Sequence, residues 1–86
     1  MLKIKEWKYD EMMHKVCRYG DKWMEFDSWE RDENNFDTVI VDSFGYVHYY
    51  GRYEIEKETE KAMKINFNCG SWHEWIPKHA IEIEGH

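Results

Sequence analysis

The chain has 86 residues, a formal net charge of −6 and a pI near 5.3, so we expect one domain, residues 1–86, which buries only roughly 60% of its unfolded surface. The acidic balance works against phosphate-backbone binding and favours basic protein surfaces. No apolar run approaches the ~20 residues of a membrane span, and the start, Met1 to Glu6, lacks the apolar stretch of a secretion signal, so a cytoplasmic protein with reduced Cys17 and Cys69 is expected.

Five Trp, six Tyr and four Phe make up 17% of the residues. A core this small cannot easily hide them all, and rings left outside favour contact surfaces, including contacts between copies of the chain. The charge is uneven. Residues 1–20 carry five Lys or Arg against three acids, and residues 43–86 carry five against seven. Residues 21–42 carry only Lys22 and Arg31 against eight acids, which alone equals the net charge.

In chain order, Leu2, Ile4 and Trp7 alternate with charge, as in a short strand. From Tyr9 the period changes: Tyr9, Met12, Met13, Val16 and Cys17 fall on one helical face. Asp10 and Glu11 suit the start, Arg18 the last turn and Gly20 the C-cap, so a helix is expected over 9–19. From Lys22 the period is two, with Met24 and Phe26 on one face and Trp23, Glu25, Asp27 and Trp29 on the other; a rival reading continues the helix through Trp23, Phe26 and Glu30. Asp32-Glu33-Asn34-Asn35 reads as a turn, Thr38 to Val41 as a strand, and Asp42-Ser43-Phe44-Gly45 as a hairpin connection. Tyr46 to Lys57 is a long alternating run with Gly51 inside it, which marks a bulge or sharp bend.

The C-terminal third repeats the alternation. Met63, Ile65 and Phe67 point one way, Asn68-Cys69-Gly70-Ser71 turns the chain, Trp72 to Ile76 returns, and Pro77 ends the pairing because it has no N–H to donate. Lys78-His79 makes a tight turn, and Ile81 and Ile83 re-enter the core. The expected fold is α+β: one N-terminal helix packed on a bent antiparallel sheet or small β-barrel of about five to six strands. Its core comprises Ile4, Met12, Met13, Val16, Met24, Phe26, Val39, Val41, Val47, Met63, Ile65, Phe67, Ile81 and Ile83.

Glu58-Thr59-Glu60-Lys61-Ala62 followed by Trp75-Ile76-Pro77-Lys78-His79-Ala80-Ile81 resembles a module of small bacterial and phage proteins of unassigned activity. There an E-T-E-K-A strand pairs with a W-(I/L)-P-K-S-x-(I/V) strand. This chain departs from it at His79, where the module has Ser, and in the longer Asn68 to His73 turn. The resemblance implies a phage or mobile-element origin, and small acidic proteins of that origin often inhibit host enzymes. The order strand, proline, one-turn helix, short strand is also similar to the end of Src-homology-type barrels, a likeness of fold that implies no function.

Three constellations bear on chemistry. Trp23, Glu25, Asp27 and Trp29, with Asp32 and Glu33 beyond, combine rings and carboxylates, a pattern suited to a protein partner with a basic surface. Tyr46, His48, Tyr50 and Arg52 share a strand face and form the alternative: rings and a guanidinium that stack and bind single-stranded nucleic acid or a nucleotide. His14 with Cys17 and Cys69 with His73 are four zinc-competent side chains in two short pairs, but their spacing matches no common zinc motif, and Cys17 already fits the apolar helix face. No nucleophile elbow or phosphate-cradling glycine loop is present. The expectation is therefore a non-enzymatic protein-interaction module of inhibitor type, with no cofactor, no metal and no membrane association, and with nucleic acid as the lesser partner.

Overall fold

A computed structural model describes residues 1–19, 28–67 and 72–85, without the side chains of residues 16–19 and 36. The elements are β1 (Leu2–Lys5), α1 (Glu6–Tyr19), β2 (Arg31–Asp32), β3 (Asn35–Val39), β4 (Tyr46–Tyr49), β5 (Tyr53–Glu58), β6 (Ala62–Phe67), β7 (Trp72–Pro77), a 3-10 turn over Lys78–Ala80, and β8 (Ile81–Ile83). The strands form three antiparallel sheets, ordered β4-β1-β8, β2-β3 and β5-β6-β7, rather than one closed barrel. The α+β class is as expected; the strands among the described residues number eight rather than about five to six.

The first sheet is closed by the two chain ends. β1 lies at its centre, with Leu2 opposite Tyr49 and Ile83 and Ile4 opposite Val47 and Ile81. Leu2 and Ile4 are fully buried. α1 follows β1 without a loop and starts three residues earlier than its periodicity predicts, because the Glu6 amide finds the Gly45 carbonyl at 2.9 Å. One orphan N–H of the first turn is thereby satisfied. Trp7, expected on the strand, is thus helical and 49% exposed, stacked on His79 with ring centroids 6.0 Å apart. Tyr9, Met12 and Met13 form the buried helical stripe.

The second half follows its alternation closely. Met63, Ile65 and Phe67 of β6 are buried between β5 and β7, Pro77 is the last residue of β7, and Ile81 returns to the core. Of Glu58 to Ala62, a strand in the resembling module, Glu58 ends β5, Ala62 begins β6, and residues 59–61 turn the chain between them. Thr59 N donates to Ala62 O at 2.8 Å, and the Thr59 hydroxyl accepts from Ala62 N at 3.1 Å. The Lys78 amide bonds Lys61 O, and Lys78 Nζ meets Glu58 Oε2 at 2.7 Å, so this turn and the Trp75–Ala80 segment do lie together.

Gly51 marks the expected break, between β4 and β5, where the chain leaves one sheet for the next. A Cβ there would collide with Ser28 Oγ and the Tyr49 hydroxyl, so only glycine fits. The Thr38 to Val41 strand is shifted: β3 ends at Val39, Ile40 is exposed, and Val41 makes an isolated bridge to Val47. Val39, Val41 and Ile83, expected in the core, are only partly buried against it. Of the strand expected from Lys22 to Trp29, residues 22–27 with Met24 and Phe26 lie outside the described residues, as do the Gly20 cap, the Asn68–Ser71 turn and the Val16 side chain, and Trp29 itself makes only an isolated bridge to Tyr49.

Two features of the interior were not expected. Trp29, read as a surface anchor, is 4% exposed. It bridges Tyr49, and its ring lies 4.8 Å from Tyr9, 4.9 Å from Tyr49 and 6.3 Å from Phe67. One indole therefore touches the helix and both three-stranded sheets. The second feature is a buried charge cluster. Glu74 occupies the inward position between Trp72 and Ile76 and is 7% exposed, and Lys8 is 5% exposed. Glu74 Oε1 lies 3.2 Å from Lys8 Nζ and 2.8 Å from Lys15 Nζ, Oε2 accepts from Trp72 Nε1 at 3.1 Å, and Lys8 also meets Glu11 at 3.0 Å. The Lys8 hydrogen bond holds the Glu11 carboxyl below its usual range, and the Glu74 hydrogen bond raises the Lys15 ammonium.

Two stability outcomes follow. W29A should lose about 3–5 kcal/mol, the usual cost of truncating a buried large ring. E74L should lose up to ~3–5 kcal/mol because it leaves the buried Lys8 ammonium with only the half-exposed Glu11 as counter-ion, whereas K8M/E74L should recover most of that loss. Urea midpoints of the three variants check both.

Candidate interaction face

The alternation that buries Leu2, Ile4, Val47, Tyr49 and Ile81 turns the intervening residues of the first sheet outward. On that outer face the register sets Lys5 beside Tyr46, and Lys3 between His48 and Glu82. Tyr50 follows β4, 59% exposed and held by its amide to Ser28 O at 2.6 Å. Phe44 stands at the tip of the preceding turn, 76% exposed.

That turn is rigid for local reasons. Asp42 Oδ1 accepts from the amides of Phe44 at 2.9 Å and Tyr46 at 3.0 Å, and Gly45 takes φ +84°, a conformation that suits glycine. Lys5 Nζ donates to Phe44 O at 2.6 Å and lies 4.3 Å from the centroid of the Tyr46 ring, a cation–π contact.

His48 is held between two carboxylates. Its Nε2 lies 2.8 Å from Asp42 Oδ2 and its Nδ1 3.4 Å from Glu30 Oε2. Tyr50 OH donates to the same Glu30 oxygen at 3.4 Å, and the His48 and Tyr50 rings are 6.5 Å apart. The Glu30 amide bonds the His48 carbonyl, which fixes the 28–30 segment against β4. The hydrogen bond from His48, with the Tyr46 and Phe44 amides, brings the Asp42 carboxyl down to about 2. Desolvation, with Glu30 nearby, raises the Tyr50 phenol.

The expected sites fare differently. Tyr46, His48 and Tyr50 do share one face; Arg52 lies past Gly51, beside a separate depression of about 540 Å³ with Tyr53 and Glu54. Of the acidic set, Trp29 is in the core, because its flat ring fills the junction of helix and sheets. Asp32 and Glu33 lie at the β2–β3 turn, with Asp32 Oδ1 accepting from Asn34 N at 2.9 Å. Trp23, Glu25 and Asp27 lie outside the described residues. His14 is exposed on α1 and His73 is exposed on β7, paired with Glu56; Cys69 and the Cys17 side chain lie outside the described residues. Among the described residues no three His, Cys, Asp or Glu side chains converge as metal ligands. No described helix is long and apolar enough to cross a membrane.

Sequence reasoning missed Lys3, Lys5, Glu30, Phe44 and Glu82 as members of this face. The alternation of Leu2-Lys3-Ile4-Lys5 puts both lysines on one side, but the neighbours of that strand come from register alone. Compared with known protein families, curated proteins and solved structures, the chain matches none.

Removing Asp42 loosens the turn and leaves His48 with Glu30 as its remaining carboxylate neighbour. Because its carboxyl sits below the ordinary carboxylate range, its stabilisation is complete above pH ~4 and disappears as pH falls towards about 2. D42A should therefore melt below the native chain at neutral pH, and the gap should narrow between pH 4 and 2. Thermal melts followed by circular dichroism across that range check this.

Proposed function

We propose that the protein is a non-enzymatic binding module that engages a partner protein with a basic surface, in the manner of a phage-type inhibitor of a nucleic-acid-handling host protein. The observation that carries this reading is the patch of His48, Tyr50, Glu30 and Asp42: rings and carboxylates presented together on one half-exposed face. Tyrosine rings are efficient contact anchors, and surrounding carboxylates select a basic partner and speed its approach. The Asp32–Glu33 turn adds acid in the same segment, and the excess over residues 21–42 gives the charge its sign. The resemblance of Glu58–Ala62 and Trp75–Ile81 to a module of small bacterial and phage proteins is in keeping with the inhibitor form of the proposal.

The single-stranded nucleic acid reading draws on the convergence of Tyr46, His48 and Tyr50. A phosphate chain laid along this face would meet Glu30, Asp42, Glu82 and Glu84, with Lys3 and Lys5 as the opposing cations. Phosphate contacts normally supply the affinity in such complexes, so the charge favours protein.

Affinity capture from host lysate, with and without nuclease, separates the two. The native chain should recover one stoichiometric protein that survives nuclease. E30K/Y50A should recover at least tenfold less, the scale of a hot-spot tyrosine, and D32K/E33K should weaken capture further. Recovery that vanishes with nuclease would transfer the face to nucleic acid. Undiminished recovery by E30K/Y50A would place the contact elsewhere.

A further inference from the structure

We propose that a second site, at the other end of the same outer face, binds a small aromatic zwitterion, an aromatic α-amino acid being the simplest form. Lys3, Lys5, Phe44, Tyr46 and Glu82 line an open depression of about 460 Å³, and Lys3 and Glu82 also border its neighbour of about 330 Å³ with Met1 and Glu84. The first volume falls within the ~300–1,000 Å³ usual for small-molecule sites.

The charges in this depression have a specific arrangement. Lys3 and Glu82 are register partners on adjacent strands, so their Cβ atoms stand about 4.5–5.5 Å apart. Opposite charges so placed ordinarily pair, yet neither has an ion-pair partner among the described residues. Lys5, by contrast, is committed to Phe44 O and to the Tyr46 ring. It builds the wall, with part of its donor capacity already used. The depression therefore offers one uncommitted ammonium beside the partly committed Lys5, one carboxylate, and one strongly exposed ring, Phe44, on a turn pinned by Asp42 and Gly45.

A complementary ligand carries the converse set. Its carboxylate meets Lys3, its ammonium meets Glu82, and its ring lies against Phe44 and the edge of Tyr46. The α-carboxylate and α-ammonium of an amino acid are separated by a span that a cross-strand pair can bracket. A mononucleotide brings a dianion toward Glu82 and Glu84, with Lys3 and the partly committed Lys5 to offset it. A simple aromatic acid leaves Glu82 without a partner. The site is open to solvent and the ligand is small, so the expected Kd is about 1 mM.

The test is a 15N NMR titration of the full chain with four probes. L-tryptophan should give saturable shifts at the amides of Lys3, Phe44 and Glu82. L-leucine, which lacks the ring, N-acetyl-tryptophanamide, which lacks the charges, and AMP should each bind at least fivefold more weakly. K3M and E82Q should each weaken tryptophan at least fivefold with the rest of the spectrum unchanged, and F44S should do the same. Equal binding of N-acetyl-tryptophanamide or AMP, no saturation about tenfold above the expected Kd, or unchanged affinity in K3M and E82Q would overturn the proposal. Because the titration uses the isolated chain, its failure leaves partner capture through His48 and Tyr50 standing, and the converse holds too.

Discussion

Everything in this fold converges on one ring. The indole of Trp29 meets Tyr9 of the helix, Tyr49 of the first sheet and Phe67 of the second, and Tyr49 and Phe67 meet each other edge to face at 5.2 Å. Neither three-stranded sheet shares a hydrogen-bonded strand with the other, so among the described residues the union of the two depends on side chains. Each such aromatic pair adds about 0.5–1.5 kcal/mol beyond its buried area. In a chain of this size, where the net stability is only about 5–15 kcal/mol, a single four-ring junction is a large part of the total. The same junction explains Gly51. The chain must pass between sheets directly beside Tyr49 and Ser28, and a side chain there would prise them apart.

A second attachment of helix to sheet uses charge where a core of this size would ordinarily use apolar contact. Glu74 faces inward among Trp72 and Ile76, and it is tolerated because two lysines and an indole N–H meet both of its oxygens. Burying ions costs several kcal/mol each, and pairing recovers that only with good geometry. The cluster is therefore better understood as a register device than as a source of stability. Only one rotation of α1 places Lys8 and Lys15, seven residues apart and on one face, over a single carboxylate. That rotation also turns Trp7 out towards His79 and Tyr9 in towards Trp29.

The outer face of the first sheet is a by-product of the same constraint. Once Leu2, Ile4, Val47 and Tyr49 are committed to the core, period-two geometry leaves Lys3, Lys5, Tyr46 and His48 outside. The hairpin turn then raises Phe44 above them. The Asp42 turn and the Glu30–His48 contact hold these side chains in place, and in the proposed binding role that preorganisation would lower the entropic cost of association.

Local pattern alone determined a good deal. The helical stripe from Tyr9, the turns at Asp32 and Asp42, the break at Gly51, and the strand, proline, 3-10 turn and strand from Trp72 to Ile83 all depend on neighbours within a few residues. Backbone sterics and side-chain period act at that range. The convergence of Tyr46, His48 and Tyr50 was legible for the same reason: alternate residues of one strand share a face. Tertiary structure decided what depends on distant partners. Trp29 alternates with acids and so reads as exposed, yet its face is set by which elements close around it. Glu74 reads as an ordinary surface charge until Lys8, 66 residues away in sequence, arrives over it. The placing of β1 between β4 and β8, which joins Lys3 to His48 and Glu82, follows from register between strands far apart in the chain. No local propensity encodes that register; only the burial of Leu2 and Ile4 on both sides enforces it.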